Sequence, residues 1–181
     1  MPTESKNILI TGLPGTGKTT LIEKLAAARP ALHPVGIYTA EIRENGLRQG
    51  FEMVDLAGHR GLLAHTDLPG PPRVGKYGLD IPGFEKFLAQ IDFFSADSKL
   101  AVVDEIGKME CFSAAFRTLM TELLASPTRL IATIARHGGG FIAAVKKRPD
   151  IITYEITPAN RDHLYSVILQ HLDSVNMQHL E

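Results

Sequence analysis

The octapeptide that decides the fold is Gly12-Leu13-Pro14-Gly15-Thr16-Gly17-Lys18-Thr19, which matches the phosphate-binding loop pattern G-x-x-x-x-G-K-S/T. Residues 7–11, immediately before it, form a short apolar run with β-branched side chains, which predicts a buried strand. Residues 20–28, immediately after it, predict a helix with an apolar stripe through Leu21 and Leu25. Strand, glycine loop and helix in this order build a phosphate site, because backbone N–H groups converge at the start of the helix.

The residue types in this loop have separate physical reasons. Gly12, Gly15 and Gly17 allow backbone conformations that other residues avoid, and they let a ligand approach the backbone closely. Lys18 supplies a positive charge for the β- and γ-phosphates, and Thr19 offers a hydroxyl group to Mg²⁺. We therefore expect Lys18 to be catalytic and Thr19 to be a metal ligand.

A second motif, Val102-Val103-Asp104-Glu105, is an apolar run that ends in two acidic residues. In proteins with a phosphate-binding loop, the Asp at the end of such a strand holds Mg²⁺, so we expect Asp104 to be the second metal ligand. A carboxylate one residue further can orient or deprotonate a water, which makes Glu105 the candidate general base. The alternative is a strand that ends in two solvated acids without a catalytic role.

Residues 107–110 continue the second motif into a loop. Gly107 suits a turn near the phosphates. Lys108 could contact a phosphate or could pair with Glu110, and the sequence favours neither interpretation.

Several cations outside the two motifs are further candidates. Arg43, Arg48 and Arg136 could each reach the γ-phosphate as an arginine finger, or could be surface residues without a role. Asn160 and Arg161 could hold the nucleotide base, with Arg161 stacking on it. The alternative for this pair is a helix cap followed by a surface arginine.

The predicted elements indicate an α/β fold. Beyond the first strand and helix, apolar strands and helices alternate, with strands at 100–103, 130–134 and 151–155 and helices at 82–94, 113–124, 141–148 and from Thr157 or Asn160 to about Leu172. This alternation predicts a mostly parallel sheet that is covered by helices on both faces.

An antiparallel hairpin interrupts the alternation. Asn45-Gly46 predicts a two-residue turn between strands at 35–44 and 48–56, and residues 62–64 extend the hairpin to a meander. The pairs expected from this turn are Arg43 with Arg48, Glu41 with Gly50, and Ala40 with Phe51. In this register, Met53 lies on the core face beside Tyr38.

Length and composition predict one globular domain over residues 1–181, with a frayed tail from residue 173. The net charge of −1 gives no field that would recruit nucleic acid, and no apolar run is long enough to span a bilayer. Cys111 is the only cysteine, and the seven histidines show no metal-ligand spacing. We expect a cytoplasmic monomer that binds a nucleoside triphosphate, with no nucleic acid or membrane partner.

The motifs together resemble the small P-loop nucleoside-triphosphatase family, which has bacterial, archaeal and vertebrate members. The resemblance rests on residues 11–21 and 103–110, on blocks between them, and on Asn160-Arg161. It implies a RecA-like α/β fold and magnesium-dependent hydrolysis of nucleoside triphosphates, such as ATP and GTP, to diphosphates with loose choice of base. The nucleotide-binding residues expected from the motifs and this resemblance are Gly12, Leu13, Pro14, Gly15, Thr16, Gly17, Lys18, Thr19, Thr20, Val103, Asp104, Glu105, Ile106, Gly107, Asn160 and Arg161.

Two other functions are compatible with the phosphate loop. A small-molecule or nucleotide kinase needs an acceptor pocket and usually an arginine-rich lid, for which residues 58–77 offer only Arg60 and Arg73. A slow nucleotide-dependent switch would instead recruit a partner in its bound state. Glu105 favours activation of a water, and therefore a hydrolase.

Overall fold

The structure is a computed structural model that describes residues 5–177. Its strands are β1 (Asn7–Thr11), β2 (Val35–Glu44), β3 (Leu47–Asp55), β4 (Arg60–His65), β5 (Arg73–Val74), β6 (Tyr77–Leu79), β7 (Leu100–Ile106), β8 (Arg129–Ile134) and β9 (Ile151–Glu155). Its α-helices are α1 (Lys18–Ala27), α2 (Ile81–Leu88), α3 (Ala114–Ala125), α4 (Gly140–Lys146) and α5 (Arg161–Met177). Short 3₁₀ turns lie at Pro30–Leu32 and Glu110–Phe112.

These strands form one sheet in the order β5-β6-β4-β3-β2-β7-β8-β1-β9. In the second half of this order, the neighbouring pairs β2-β7, β7-β8, β8-β1 and β1-β9 are all parallel. The pairs that join β3, β4, β5 and β6 to the sheet are antiparallel. The predicted α/β fold, with a mainly parallel sheet and an added antiparallel meander, is confirmed.

Helices cover both faces of the parallel part of the sheet. The side chains of each strand alternate between the two faces, and the apolar ones on each face are buried against helices. Ile8 and Ile10 of β1 pack in a cluster that includes Leu25 of α1 and Ile168 of α5. Leu9 points to the opposite face and packs in the cluster that holds α2, α3 and α4. All three β1 side chains are fully buried.

The hairpin between β2 and β3 differs from the predicted register. The turn pairs Arg43 with Arg48 as predicted, but an irregularity in the ladder follows directly. Beyond it Glu41 lies opposite Phe51 rather than Gly50. A bulge of this kind adds one residue to one strand and shifts every later pair by one.

The shift also changes which residues share a face of the hairpin. Ala40 lies opposite Glu52 rather than Phe51, and Met53 lies opposite Thr39. Met53 is fully buried, and the Thr39 hydroxyl oxygen lies 3.7 Å from its sulfur. The prediction that Met53 sits beside Tyr38 is therefore wrong, because a one-residue slip moves side chains to the other face.

The predicted helices occur, although their ends differ from the predicted ones. The first helix begins at Lys18 rather than at residue 20, and α2 ends at Leu88 rather than at residue 94. The Ser113 side chain accepts a hydrogen bond from the Phe116 N–H at 2.9 Å and caps α3 as predicted.

The last helix continues past the residue where we expected fraying to begin. It runs to Met177, and residues 178–181 of the predicted tail lie outside the described residues. Asp173 accepts two hydrogen bonds from Arg29, at 2.6 and 2.8 Å, and Arg129 donates to the Leu172 carbonyl at 2.6 Å. These bonds fix α5 to the domain at Leu172 and Asp173, and the fraying expected from residue 173 stays a prediction.

None of the helices in residues 5–177 has the length and apolarity that crossing a membrane requires.

The parallel strands bring the two sequence motifs to one edge of the sheet. The phosphate loop follows the carboxyl end of β1, and Asp104 and Glu105 lie near the carboxyl end of β7, with β8 between these two strands. Open α/β sheets bind ligands at the carboxyl edge, so the site belongs there.

Candidate active site

The phosphate loop uses its glycines in two different ways. Gly15 (φ +77°) and Gly17 (φ +94°) adopt left-handed backbone conformations, as predicted from their freedom of rotation. Gly12 is needed for a close approach instead, since a Cβ atom there would lie 2.6 Å from the Ile156 carbonyl oxygen. The loop therefore depends on two conformations and one close packing contact.

The loop closes around the ammonium group of Lys18. The Lys18 Nζ atom donates to the carbonyl oxygens of Gly12 and Leu13, both at 3.1 Å. The Thr16 hydroxyl donates to the Leu13 carbonyl at 2.8 Å and braces the turn. The positive charge is thereby held over the loop where a phosphate would bind.

The start of α1 leaves backbone donors for that phosphate. Gly17 is the N-cap of the helix, and it has no side chain to accept from the first N–H groups. The N–H groups of Lys18, Thr19 and Thr20 are the ones that an α-helix leaves without an internal partner. Together with the positive end of the helix dipole, they form a site for an anion.

Asp104 is the residue on which several elements converge. The Thr19 hydroxyl of α1 donates to Asp104 Oδ2 at 2.5 Å, and the Thr133 hydroxyl of β8 donates to Oδ1. The Thr39 hydroxyl of β2 donates to the Asp104 backbone carbonyl at 2.7 Å. The side chain has one orientation because both of its oxygens are held.

Burial raises the pKa of Asp104, and the hydrogen bonds from Thr133 and Thr19 and the charge of Lys18 oppose that rise. The residue is only 3% exposed, so its charged form needs a nearby cation. Among the described residues, no group of three or more His, Cys, Asp and Glu side chains could hold a metal. The Thr19 hydroxyl and the Asp104 carboxylate are adjacent oxygen groups, an arrangement that would suit a cation whose other ligands are waters and substrate phosphates.

Glu105 follows Asp104 on β7 and is partly buried. Burial raises the pKa of its carboxyl group, the neighbouring charge of Asp104 raises it further, and Lys18 lowers it. A carboxylate with a raised pKa accepts a proton more readily, which is the property that a general base requires.

The loop after Glu105 turns back over the same edge. Glu110 is 5% exposed, and burial raises its pKa to about 8, with the charges of Glu105 and Asp104 adding to the effect. Burial also raises the pKa of the adjacent half-buried Cys111 to about 12. Lys108 makes no ion pair with Glu110 among the described contacts, so that interpretation of Lys108 gains no support.

Val103 and Ile106 flank the two acids, and both are fully buried in the core. Their side chains pack between sheet and helices, away from the edge. Of these two predicted nucleotide-binding residues, only the backbone is available to a ligand.

A cavity of about 520 Å³ lies beside the phosphate loop, between the start of α1 and the start of α5. Gly17, Thr20 and Lys24 line one side, and Arg161 and Tyr165 line the other. The site residues Thr20 and Arg161, which are far apart in sequence, therefore face one space.

Asn160 lies next to this cavity but uses its side chain locally. Its Nδ2 donates to the Glu155 carbonyl at 2.9 Å, and its Oδ1 accepts from the Thr157 N–H at 2.7 Å. Both bonds go to residues before Asn160, so its side chain holds the turn between β9 and α5, which is a structural role and not base binding. Arg161 is free of such bonds and makes only a long 4.0 Å contact with Asp162 among the described ion pairs.

The candidate arginine fingers are engaged with carboxylates. Glu41 binds both Arg43, at 2.6 Å, and Arg48, at 2.8 Å. Arg136 pairs with Glu155 at 3.3 Å. Each arginine would have to leave its present partner before it could contact a phosphate.

Three residues of the site were not singled out by the sequence motifs: Thr39, Thr133 and Tyr165. Thr133 carried a usable signal, because it is the one polar side chain in the apolar run at 130–134. Thr39 lay in one of the blocks on which the family resemblance rests, whereas Tyr165 carried no signal, since tyrosines are ordinary in helices.

Known proteins share this sequence and fold over most of the chain. The profile of a family described as NTPase matches residues 7–169. The nucleoside-triphosphatase THEP1 of Thermotoga petrophila is 43% identical over 163 residues, which cover 90% of this chain and 90% of that protein. The human cancer-related nucleoside-triphosphatase is 37% identical over 176 residues, which cover 88% and 93% of the two chains.

The crystal structure of THEP1 from the hyperthermophile Aquifex aeolicus superposes with a TM-score of 0.81 at 30% identity, covering 92% of this chain and 98% of that one. The sheet, the phosphate loop and these similarities define a P-loop nucleoside triphosphatase. The chain belongs to the nucleoside-triphosphatase family that includes THEP1 and the human cancer-related enzyme, and it is a nucleoside-triphosphate phosphohydrolase.

Proposed function

We propose that the protein hydrolyses nucleoside 5′-triphosphates, ATP and GTP among them, to the diphosphate and phosphate in a magnesium-dependent reaction. The observation that carries the proposal is the 2.5 Å contact between the Thr19 hydroxyl and the buried Asp104 carboxylate, at the start of the helix that follows the phosphate loop. Lys18 and Glu105 lie at the same edge of the sheet. One triphosphate would then contact the phosphate loop and Lys18, and would lie next to the proposed metal ligands and the proposed base.

Thr19 and Asp104 would hold the magnesium ion. Their oxygens are the ligand type that Mg²⁺ prefers, and two protein ligands leave positions for waters and phosphate oxygens. A bound Mg²⁺ would neutralise charge on the β- and γ-phosphates. Thr133 and Thr39 would keep Asp104 in place through their hydrogen bonds.

Glu105, Lys18 and the start of α1 would have separate roles in the reaction. Glu105 accepts a proton from a water, or aligns it, while the water oxygen forms a bond to the γ-phosphorus. The bond between this phosphorus and the oxygen that bridges to the β-phosphate breaks, and the diphosphate leaves with that oxygen. Lys18 and the N–H groups at the start of α1 stabilise the negative charge on the phosphate oxygens during this exchange.

The cavity beside the loop would receive the nucleoside. Arg161 and Tyr165 offer planar groups for stacking, and stacking tolerates different bases. Lys24 adds a flexible donor on the opposite side. This composition supports a loose choice of base, whereas the side chain of Asn160 contributes to the turn instead.

The segment considered as a kinase lid gives no support to the kinase alternative. Residues 60–65 and 73–74 belong to β4 and β5 of the sheet. Arg60 is bound to Glu52, and Arg73 donates to the carbonyl of Leu68 at 2.8 Å. Neither arginine is available to an acceptor phosphate in this arrangement.

Phosphate release from a panel of nucleoside triphosphates, with magnesium and with or without candidate acceptors, tests the proposed function. We expect release without any acceptor, loss of release with a chelator, and a raised magnesium requirement in Asp104→Asn. An unchanged magnesium titration in that variant would place the metal ligand elsewhere. Transfer to an acceptor that exceeds transfer to water would instead indicate a kinase.

The expected monomeric state and the absence of a nucleic-acid partner remain predictions. The net charge of −1 supports the second of them.

A further inference from the structure

Glu110 is a buried carboxyl group that the proposed reaction does not use. It lies in the 3₁₀ turn after the second motif and is 5% exposed. Burial of a carboxyl group is unfavourable unless its surroundings compensate, so such a group inside an active site calls for a functional explanation.

The geometry around Gly107 suggests such an explanation for the buried Glu110 carboxyl group. A Cβ atom built on Gly107 would lie 2.6 Å from Glu110 Oε2 and 2.8 Å from Glu105 Oε1. Both oxygens lie within 3 Å of the position that this Cβ atom would take, so the two carboxyl groups border the same space over the Gly107 backbone. Because Gly107 has no side chain, this space stays open to the carboxyl groups of Glu110 and Glu105.

The turn that carries Glu110 is held firmly. The Cys111 N–H donates to the Gly107 carbonyl at 3.1 Å, and the Ser113 N–H donates to the Glu110 carbonyl at 3.0 Å. Arg117 of α3 donates to the Cys111 carbonyl at 2.6 Å. The backbone of Glu110 is thus held on both sides, and this fixes the point from which its buried side chain extends toward Gly107.

We propose that Glu110 is a positioning residue that limits the rotamers of the Glu105 side chain and holds its carboxylate toward the attacking water. This inference rests on the proposed role of Glu105 as the base. Glu110 has no contact with the substrate in this role, and its size and hydrogen-bonding shape matter more than its charge. A base that is displaced by about 1 Å can lose on the order of 10²-fold in rate.

Steady-state kinetics of three variants tests the proposal. We expect Glu110→Ala to lower kcat by up to about 100-fold with an unchanged KM, since orientation is lost and substrate contacts remain. Glu110→Gln, which keeps the shape, should recover most of the turnover at neutral pH. Phe112→Ala is the matched control, because Phe112 lies in the same turn but is 43% exposed, and it should leave kcat near the wild-type value.

A double-mutant cycle with Glu105→Gln separates positioning from a general loosening of the loop. If Glu110 acts through Glu105, then Glu110→Ala should cost little further activity in the Glu105→Gln background. A full additional loss of activity in that background would overturn the proposal, and so would a rise in KM together with a fall in kcat. Wild-type kcat in Glu110→Ala would overturn it as well.

The same cycle distinguishes failure of this inference from failure of the proposed base. Inactive Glu105→Gln together with fully active Glu110→Ala rejects only the positioning role. Wild-type turnover in Glu105→Gln rejects the base, and with it the positioning role of Glu110. Circular dichroism and a thermal unfolding midpoint for each variant exclude loss of the fold as the cause.

Discussion

Lys18 is the residue for which contacts and proposed role agree most directly. Its ammonium group is held by two loop carbonyls rather than by an acid, so its charge is free to attract phosphate. Lys18→Ala should abolish turnover and weaken triphosphate binding while the fold survives. Phosphate release and a binding titration on a correctly folded sample measure both effects. Wild-type turnover would falsify the assignment.

Substitution of Glu105 should have a different effect, because its proposed role concerns the attacking water and not the phosphates. Glu105→Gln keeps the size of the side chain but removes its basicity, so turnover should fall by roughly 10²–10⁴. Triphosphate affinity should remain, and the variant should trap bound substrate. Single-turnover hydrolysis and binding on the same sample decide the matter. Joint loss of binding and turnover would mean that Glu105 organises the metal site.

Glu110 predicts a pH dependence of stability whose sign follows from its raised pKa. Below about pH 4.5, its ordinary value, the group is protonated in both the folded and unfolded states. Between 4.5 and about 8 only the folded state keeps the proton, so the free energy of unfolding falls as the pH rises. The slope reaches about 1.4 kcal/mol per pH unit, and the contribution is lost above pH 8.

Glu110→Gln should remove this slope. Chemical denaturation of both proteins at several pH values between 5 and 8 measures it, and the variant should gain stability relative to wild type as the pH rises. The charged groups near Glu110 are Asp104 and Glu105 on β7, Arg117 on α3, and Lys18, which faces the two acids, and the adjacent titratable thiol of Cys111 is neutral in this range. These groups are present in both proteins, so their own titrations largely cancel in the difference. A constant difference across this range would contradict the prediction.

Among the elements, the phosphate loop depends on packing as well as on conformation. Gly12→Ala places a methyl group 2.6 Å from a backbone oxygen, so the loop or the segment at Ile156 has to move. We expect lower triphosphate affinity and a lower unfolding midpoint. Gly139→Ala is the control, because its φ is −93° and a Cβ atom there meets nothing within 4 Å. Equal effects of the two substitutions would argue against a packing role for Gly12.

The hairpin and α5 show which properties of a strand pair or a helix could not be predicted from the sequence. Asn45-Gly46 predicts the pair next to the turn, but no local pattern predicts the bulge beyond it. The contacts of α5 at Leu172 and Asp173 likewise come from Arg29 and Arg129, which are distant in sequence. Local signals identify elements, whereas contacts between elements determine their registers and ends.

At the scale of the whole molecule, the site was predictable where one short stretch of chain contains its parts. The phosphate loop with its flanking strand and helix is such a stretch, and so are Asp104 and Glu105 at the end of a strand. Thr39 and Thr133 are different, because they reach Asp104 only when β2, β7 and β8 become neighbours in the sheet. The order of strands is a long-range property, and it brings together residues that no local pattern connects.

The single half-buried cysteine has a practical consequence for labelling. Thiol-directed probes react with the thiolate, and a pKa of about 12 leaves Cys111 with roughly 10⁻⁴ of that form at pH 8. A cysteine introduced at Leu47, which is 66% exposed at the tip of the hairpin, would ionise like an ordinary thiol. A maleimide fluorophore should therefore attach to Leu47→Cys selectively while the native cysteine stays in place. The enzyme thus allows site-specific spectroscopy with no need for a cysteine-free background.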